Sequence, residues 1–267
     1  MLALAFLKRW RHPVSAAYHA LYRRALPIHW WFVDRCSKQA VPPGLSLPPA
    51  KLRFQVAESA DAWLFFRFGR RIAQDLQAVL AESGYAIGDF RKVLDFGCGC
   101  GRTLMWFQAR FPEVNWHGSD VNDEMIEWCR TNIPNARFTV NPPFPPLEYP
   151  DGVFDLVYAV SVFTHLSDEH QRAWIPELRR VLRPGGLLLL TFHSEHVWKA
   201  QPIAEDVERR GLVFCTSTKL KGVMPQWYQT TFQTPDHLIR SLSGNLTVIR
   251  HSTRAFGDQD AILARRD

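Results

Sequence analysis

The sequence predicts an α/β protein: an open, mostly parallel sheet with helices on both faces, an antiparallel hairpin at its C-terminal edge and a helical extension at its N-terminus. Three observations carry that prediction. From residue 91 onward, apolar strand-like runs alternate with helix-like segments, the pattern of a parallel sheet covered by helices. A glycine-dense span, VLDFGCGCGR, follows directly on the first of those runs. The tail carries two strand-like runs, LTVIRHS and DAILARR, joined by a turn-rich piece around Gly257. With 46% hydrophobic and 13% aromatic residues, a chain of 267 has ample material for a packed core.

In chain order, residues 1–35 are rich in Trp, Tyr, Leu and Arg and read as an amphipathic helix, which VPPGLSLPP (41–49) ends with its prolines and glycine. That break divides an N-terminal extension and linker, 1–50, from a main domain, 51–267. Residues 58–82 place Leu64, Phe68, Ile72, Leu76 and Leu80 four apart, one broad apolar face of a helix leading into the core. KVLDF is then a strand, 102–111 a helix, VNWHGSD a strand, 122–132 a helix, RFTV and FDLVYAV strands, 168–182 a helix and LLLLTFH a strand. No internal repeat or low-complexity tract interrupts the alternation.

Several classes are excluded on elementary grounds. No apolar run reaches the roughly 18 residues of a membrane-spanning helix, and the opening MLALAFLKRWRHP turns basic where a signal peptide would turn apolar, so a cytoplasmic protein is expected. The five cysteines, Cys36, Cys98, Cys100, Cys129 and Cys215, form no CxxC pair and read as reduced thiols, not a structural zinc site. The formal charge of +6 gathers at the ends, in Lys8, Arg9, Arg11, Arg23, Arg24, Arg265 and Arg266, and reads as a solvated basic face; nucleic acid is not indicated. The Trp and Arg of residues 1–35 permit a peripheral membrane contact, the alternative being a helix folded over the ligand pocket.

In open parallel sheets, ligands sit beyond the carboxyl ends of the strands, where glycines let the backbone approach closely. A dinucleotide fingerprint has the form GxGxxG. Here Gly97, Gly99 and Gly101 run straight into Arg102, and Asp95 stands two residues before the first glycine. An acid so placed repels a pyrophosphate and suits a cationic ligand. Cys98 and Cys100 supply small side chains to fill the turn.

This stretch resembles motif I of the class I S-adenosylmethionine-dependent methyltransferases, whose usual form is an acid, any residue, then GxGxG after the first strand. Asp120, ending WHGSD, stands where that family places the acid that bonds both ribose hydroxyls; alone, it also reads as an N-cap for NDEMIEW. Val121 stands where such enzymes lay an apolar side chain on adenine. LEYPDGVFDLVYAVSVFTHL and ELRRVLRPGGLLLLTF look like the family's fourth and fifth strands. The resemblance covers 91–193 well, the last thirty residues loosely and the first ninety not at all. It implies a Rossmann-like seven-stranded fold and S-adenosyl-L-methionine as cofactor, held by Asp95, Gly97, Cys98, Gly99, Gly101, Asp120, Val121, Asn141 and Ser161.

NPPFPP (141–146) spells the signature with which amino-group methyltransferases hold a planar amine, but it follows the third strand, not the fourth. Asn141 is therefore expected at the adenine edge, with Pro142 and Phe144 as walls. Methyl transfer from a sulfonium is an in-line displacement with a neutral leaving group, so alignment and a dry pocket suffice unless the acceptor carries a proton. His165 is the candidate base, with His193 behind it; the alternative for His165 is a packing or capping residue. Acceptor choice is expected from the N-terminal aromatic helix and from an insertion within 211–242, where Pro225, Trp227, Tyr228 and Phe232 form an apolar wall or else close the core. The sequence thus points to methyl transfer onto oxygen or nitrogen of a small-molecule, glycan or lipid-precursor acceptor. The rivals are a non-catalytic cofactor-binding scaffold and a nicotinamide oxidoreductase.

Overall fold

The computed structural model describes residues 15–37, 41–216, 229–244 and 246–267. The chain opens with α1 (Ser15–Cys36), α2 (Ala50–Ala57) and α3 (Ala62–Ala81). The alternating part follows as β1 (Lys92–Phe96), α4 (Leu104–Arg110), β2 (Asn115–Asp120), α5 (Asp123–Asn132), β3 (Ala136–Val140), β4 (Phe154–Ala159), α6 (Asp168–Val181) and β5 (Leu182–His193). After it come α7 (Glu195–Lys199), α8 (Ala204–Arg210), β6 (Leu212–Cys215), β7 (Thr230–Gln233), α9 (Pro235–Leu242), β8 (Thr247–Ser252) and β9 (Gln259–Arg265).

Seven strands form one sheet in the order β3-β2-β1-β4-β5-β9-β8, while β6 and β7 form a separate pair. Strands β1 to β5 run parallel; β9 is antiparallel to β5, and β8 to β9, which is the C-terminal hairpin expected from the sequence. The order reverses between β1 and β4, so the carboxyl ends of those strands open the crevice in which sheets of this kind bind ligands.

Alternate side chains of each strand go to opposite faces, and the two apolar clusters separate accordingly. Val93, Leu156, Tyr158, Leu187, Leu189 and Leu263 pack with α3, α4 and α5. Their neighbours Leu94, Val157, Ala159, Leu188, Leu190 and Ile262 pack with α6 and α9. Side-chain caps start the helices: Asp61 accepts from the Leu64 N–H at 2.7 Å, Asn122 from Met125 at 3.2 Å and Thr234 from His237 at 3.2 Å, with Pro235 in the first turn of α9.

The helix expected over 58–82 is α3, starting at Ala62, and a separate helix, α2, precedes it. Glu58 closes α2 in the left-handed region at φ 51°, and Asp61 caps α3 afresh. The buried stripe of α3 is Phe65, Phe66, Gly69, Ala73, Leu76 and Leu80, and Phe68 is 45% exposed. A strict spacing of four drifts around a helix, whereas mixed threes and fours follow one face. The LRPGG turn belongs to β5 itself, whose pairing with β4 slips between Phe154 and Leu156 while Gly185 takes φ 72°.

Of the expected acceptor insertion, α9 sends Leu238 and Leu242 into the core instead. Pro225, Trp227 and Tyr228 lie outside the described residues, as do Lys8, Arg9 and Arg11. No helix among the described residues is long and apolar enough to cross a membrane.

Candidate functional site

Two groups of residues meet at the carboxyl ends of β1, β2, β3, β4 and β5. The first is built around the glycine loop. Gly97 and Gly99 take φ 74° and 54°, conformations that L side chains rarely adopt, and both are closely covered. A Cβ on Gly97 would run into the Val162 side chain just past β4, and one on Gly99 would stand 2.7 Å from Val56 of α2. The loop folds onto β2 through two N–H groups, Gly97 and Cys98, that both donate to the Ser119 carbonyl at 2.7 and 3.0 Å. Cys98 and Cys100 are buried in the turn, and the Cys98 and Cys129 thiols both lie 3.5 Å from the Gly99 carbonyl.

Asp120 closes β2 with a buried carboxylate. Its Oδ2 accepts from the Gly99 N–H at 2.8 Å and its Oδ1 from the Asn122 N–H at 2.9 Å. Helix α5 is capped by Asn122, so Asp120 is free of the capping role the sequence allowed it. Burial raises its pKa, against the backbone N–H groups of Asn122, Gly99 and Val121. A carboxylate accepts about four hydrogen bonds, so beyond these N–H groups Asp120 keeps acceptor capacity for a ligand. Asp95, in β1, is 4% exposed; burial pushes its carboxyl up to about 8, opposed by the adjoining Tyr158 phenol and reinforced by the charge of Asp120.

Asn141 follows β3. Its backbone N–H donates to the Asp120 carbonyl at 3.0 Å and its Nδ2 to the Pro142 carbonyl at 2.9 Å, while Oδ1 is buried with no partner among the described residues. A buried acceptor left unpaired costs free energy unless a ligand supplies the donor. Val121 is half-buried beside Asp120. Phe144 stacks on His170 of α6, ring centroids 4.2 Å apart.

The second group lies over β4 and β5. Ser161 sits in the left-handed region at φ 63°, a strained conformation for a residue with a Cβ. Its N–H donates to Thr191 Oγ1 at 2.7 Å, and Gln259 of β9 bonds both hydroxyls, donating to Ser161 Oγ at 2.9 Å and accepting from Thr191 at 2.6 Å. The loop after β4 is stitched to β7. The Thr231 N–H donates to the Thr164 carbonyl and its Oγ1 to the Leu166 carbonyl, both at 2.7 Å, and His165 Nδ1 pairs with the Gln229 carbonyl. A carbonyl only accepts, so His165 carries its proton on Nδ1 and Nε2 is the basic atom; burial lowers its pKa.

Burial brings His193 down to about 4, and the nearby His165 adds to that by disfavouring its charge. The His193 ring lies 5.1 Å from that of Phe232, and its Nδ1 is buried without a partner among the described residues. Thr191, Gln229, Thr231 and Gln259 hold this half, and no local motif announces them.

The two groups touch through Val162 on Gly97. The first brings together Asp95, Gly97, Cys98, Gly99, Gly101, Asp120, Val121 and Asn141; Ser161 and His165 fall in the second.

Comparison with known proteins agrees with this geometry. Residues 93–186 match the family described as "Methyltransferase domain". The trans-aconitate 2-methyltransferase of Variovorax paradoxus is 29% identical over 127 residues, 48% of this chain and 47% of that protein. The fatty-acid O-methyltransferase of Mycolicibacterium smegmatis is 35% identical over 103 residues, 38% of this chain and 36% of that one. The chain thus spans less than half the length of these curated relatives. A solved S-adenosylmethionine-dependent methyltransferase from Mesorhizobium loti shares the fold, with a TM-score of 0.54 at 18% identity over 72% of this chain and 98% of that structure. The glycine loop and the acid ending β2 thus lie within the residues that match this methyltransferase domain, and the sheet with its reversed strand order is the fold of the solved M. loti structure.

Proposed function

We propose that the chain transfers a methyl group from S-adenosyl-L-methionine to oxygen or nitrogen of a small-molecule, glycan or lipid-precursor acceptor. The observation that carries this reading is the pair of unfilled acceptors beside the glycine loop: the remaining acceptor capacity of Asp120 and the unpartnered Oδ1 of Asn141. The residues fit the cofactor. Asp120 has acceptor capacity for the ribose hydroxyls, Asn141 Oδ1 for the adenine amine, and Val121 lies beside them with an apolar surface. When bound, the cofactor supplies an electrophilic methyl group on a sulfonium.

The chain's own residues do the rest. Asp95 is held in its protonated form by burial and ionises when a cation comes to lie against it, so it favours the ammonium end of the ligand over a neutral or anionic one. Ser161, locked by Thr191 and Gln259, fixes the path of the chain where the cofactor half meets the acceptor half. His165, neutral and with its tautomer set by the Gln229 carbonyl, takes the proton of an acceptor that carries one.

The division into an N-terminal extension over 1–50 and a methyltransferase unit over 51–267 goes with this reading. The apolar side of the acceptor half, Phe232 against His193, suits a lipophilic acceptor. The name of the M. smegmatis relative, a fatty-acid O-methyltransferase, supports oxygen on such a chain. A peripheral membrane setting belongs to the same reading.

The test is isothermal titration with S-adenosylmethionine, S-adenosylhomocysteine and NAD, followed by an acceptor screen with methyl-labelled cofactor. Binding of the first two and not of NAD is expected; binding of NAD alone, or of none, would overturn the proposal.

A further inference from the structure

Helix α1 presents two faces, and among the described residues only one of them is packed against. Leu26 is buried, Trp30 packs on Phe54 of α2 with ring centroids 5.9 Å apart, and Asp34 accepts from the Ala50 N–H at 2.9 Å and from the fully buried Arg53 guanidinium at 3.0 Å. The opposite face carries Arg24, Ile28, Trp31, Phe32 and Arg35, one stripe at helical spacing. Ile28 is 71%, Trp31 59% and Phe32 62% exposed, with the Arg35 guanidinium lying 4.7 Å over the Trp31 ring. Asp34 is the only acid in the α1 sequence, and it is turned inward, so no carboxylate from the helix offsets the two arginines.

We infer that this face docks on an anionic phospholipid bilayer. A large apolar side chain left in water by a helix that buries its other side calls for an apolar partner, and a tryptophan flanked by arginines suits the headgroup boundary, with rings among the acyl carbons and guanidiniums on phosphates. The uniform positive sign selects a negative surface. The helix is rigidly placed for this: its other face holds α2, and α2 covers the glycine loop through Val56, so a bilayer touching α1 lies two helices from the methyl donor's site. In what docking delivers, a bilayer-dissolved acceptor, the inference rests on the function proposed above; the docking itself does not.

The experiment is co-sedimentation of the full chain with vesicles of equal phosphatidylglycerol and phosphatidylcholine, and of phosphatidylcholine alone, with S-adenosylhomocysteine titrated in parallel. Binding to the anionic vesicles is expected, weakened at about 0.5 M salt. Trp31→Ser with Phe32→Ser, and separately Arg24→Gln with Arg35→Gln, should each lower the partition coefficient about tenfold or more while leaving S-adenosylhomocysteine affinity unchanged, which shows that the variants fold. No binding by the wild type, equal binding to neutral vesicles, or variants that bind as well as the wild type would overturn the inference. So would a dimer in analytical ultracentrifugation that the Trp31/Phe32 variant abolishes, since the face would then belong to a second copy. If vesicle binding holds but S-adenosylhomocysteine does not bind, the docking stands and the proposed function falls.

Discussion

The two halves of the site are held by different kinds of bond. In the cofactor half, Asp120 reaches Asn122 and Gly99, partners 2 and 21 residues away, and the groups that do the holding are backbone N–H. In the acceptor half, Ser161 meets Gln259 across 98 residues, His165 meets Gln229 across 64, and Thr231 meets Leu166 across 65. There the holding groups include side-chain hydroxyls, an amide and an imidazole. The first half is one strand-turn-helix unit repeated once, joined by the pairing of β1 with β2. The second exists only after the C-terminal third of the chain has come back over β4 and β5.

Substitutions should separate the halves. The largest effect is expected from Asp120→Ala, which strands the Gly99 and Asn122 N–H groups and removes the carboxylate proposed to hold the ribose. Affinity for S-adenosylhomocysteine should fall more than about tenfold, about 1.4 kcal/mol, and stability by about 1–3 kcal/mol, read by calorimetric titration and by denaturant unfolding. Unchanged affinity would mean that the ribose lies elsewhere.

Next is Gly97→Ala, whose Cβ meets the Val162 side chain in a left-handed backbone. A loss of about 1–3 kcal/mol is expected. Adding Val162→Ala should recover part of it, the steric part, because a side chain can be shortened while the φ strain remains. Full recovery would show that the backbone conformation costs nothing there.

The third prediction turns on pH. Asp95 has an ordinary carboxyl pKa of 3.8, raised in the folded chain to about 8. Between those values the folded state keeps a proton that the unfolded state has released. The group's contribution to stability is therefore whole below the lower value and falls as pH rises through the window. Asp95→Asn removes that slope, so the melting temperature of the variant relative to wild type should rise from about pH 5 to about pH 8.5, while cofactor affinity drops. A pH-independent difference would place the titration elsewhere.

The smallest effect is expected in the acceptor half. Thr231→Val deletes only the bond from Oγ1 to the Leu166 carbonyl and keeps the shape, so about 0.5–1.5 kcal/mol should be lost with S-adenosylhomocysteine affinity unaltered. A fall in affinity comparable to that of Asp120→Ala would show that the two halves are one unit.

The same contrast explains what could be read in advance. Asp95, Gly97, Gly99, Gly101 and Asp120 were legible because close backbone approach and the end of a strand leave a local signature of glycines and an acid. Asn141 was singled out through the strand that precedes it. Phe68 was misplaced because spacing alone does not show which side of a drifting stripe meets the sheet, and α2 was missed because eight residues between prolines and Glu58 carry little periodicity. Nothing near Thr191, Gln229 or Gln259 marks them, since each matters through a partner far along the chain.

By itself, then, the sequence determined the alternation of strands and helices, the glycine loop and the acids around it, because these follow from periodicity, backbone conformation and short-range bonding. Only the tertiary structure decided which face of α1 is left in solvent, which histidine nitrogen faces the Gln229 carbonyl, that Asp95 is buried where its carboxyl pKa is raised, and that β7 and β9 complete the group over β4 and β5. Those properties depend on burial and on contacts between segments whose separation along the chain carries no local trace.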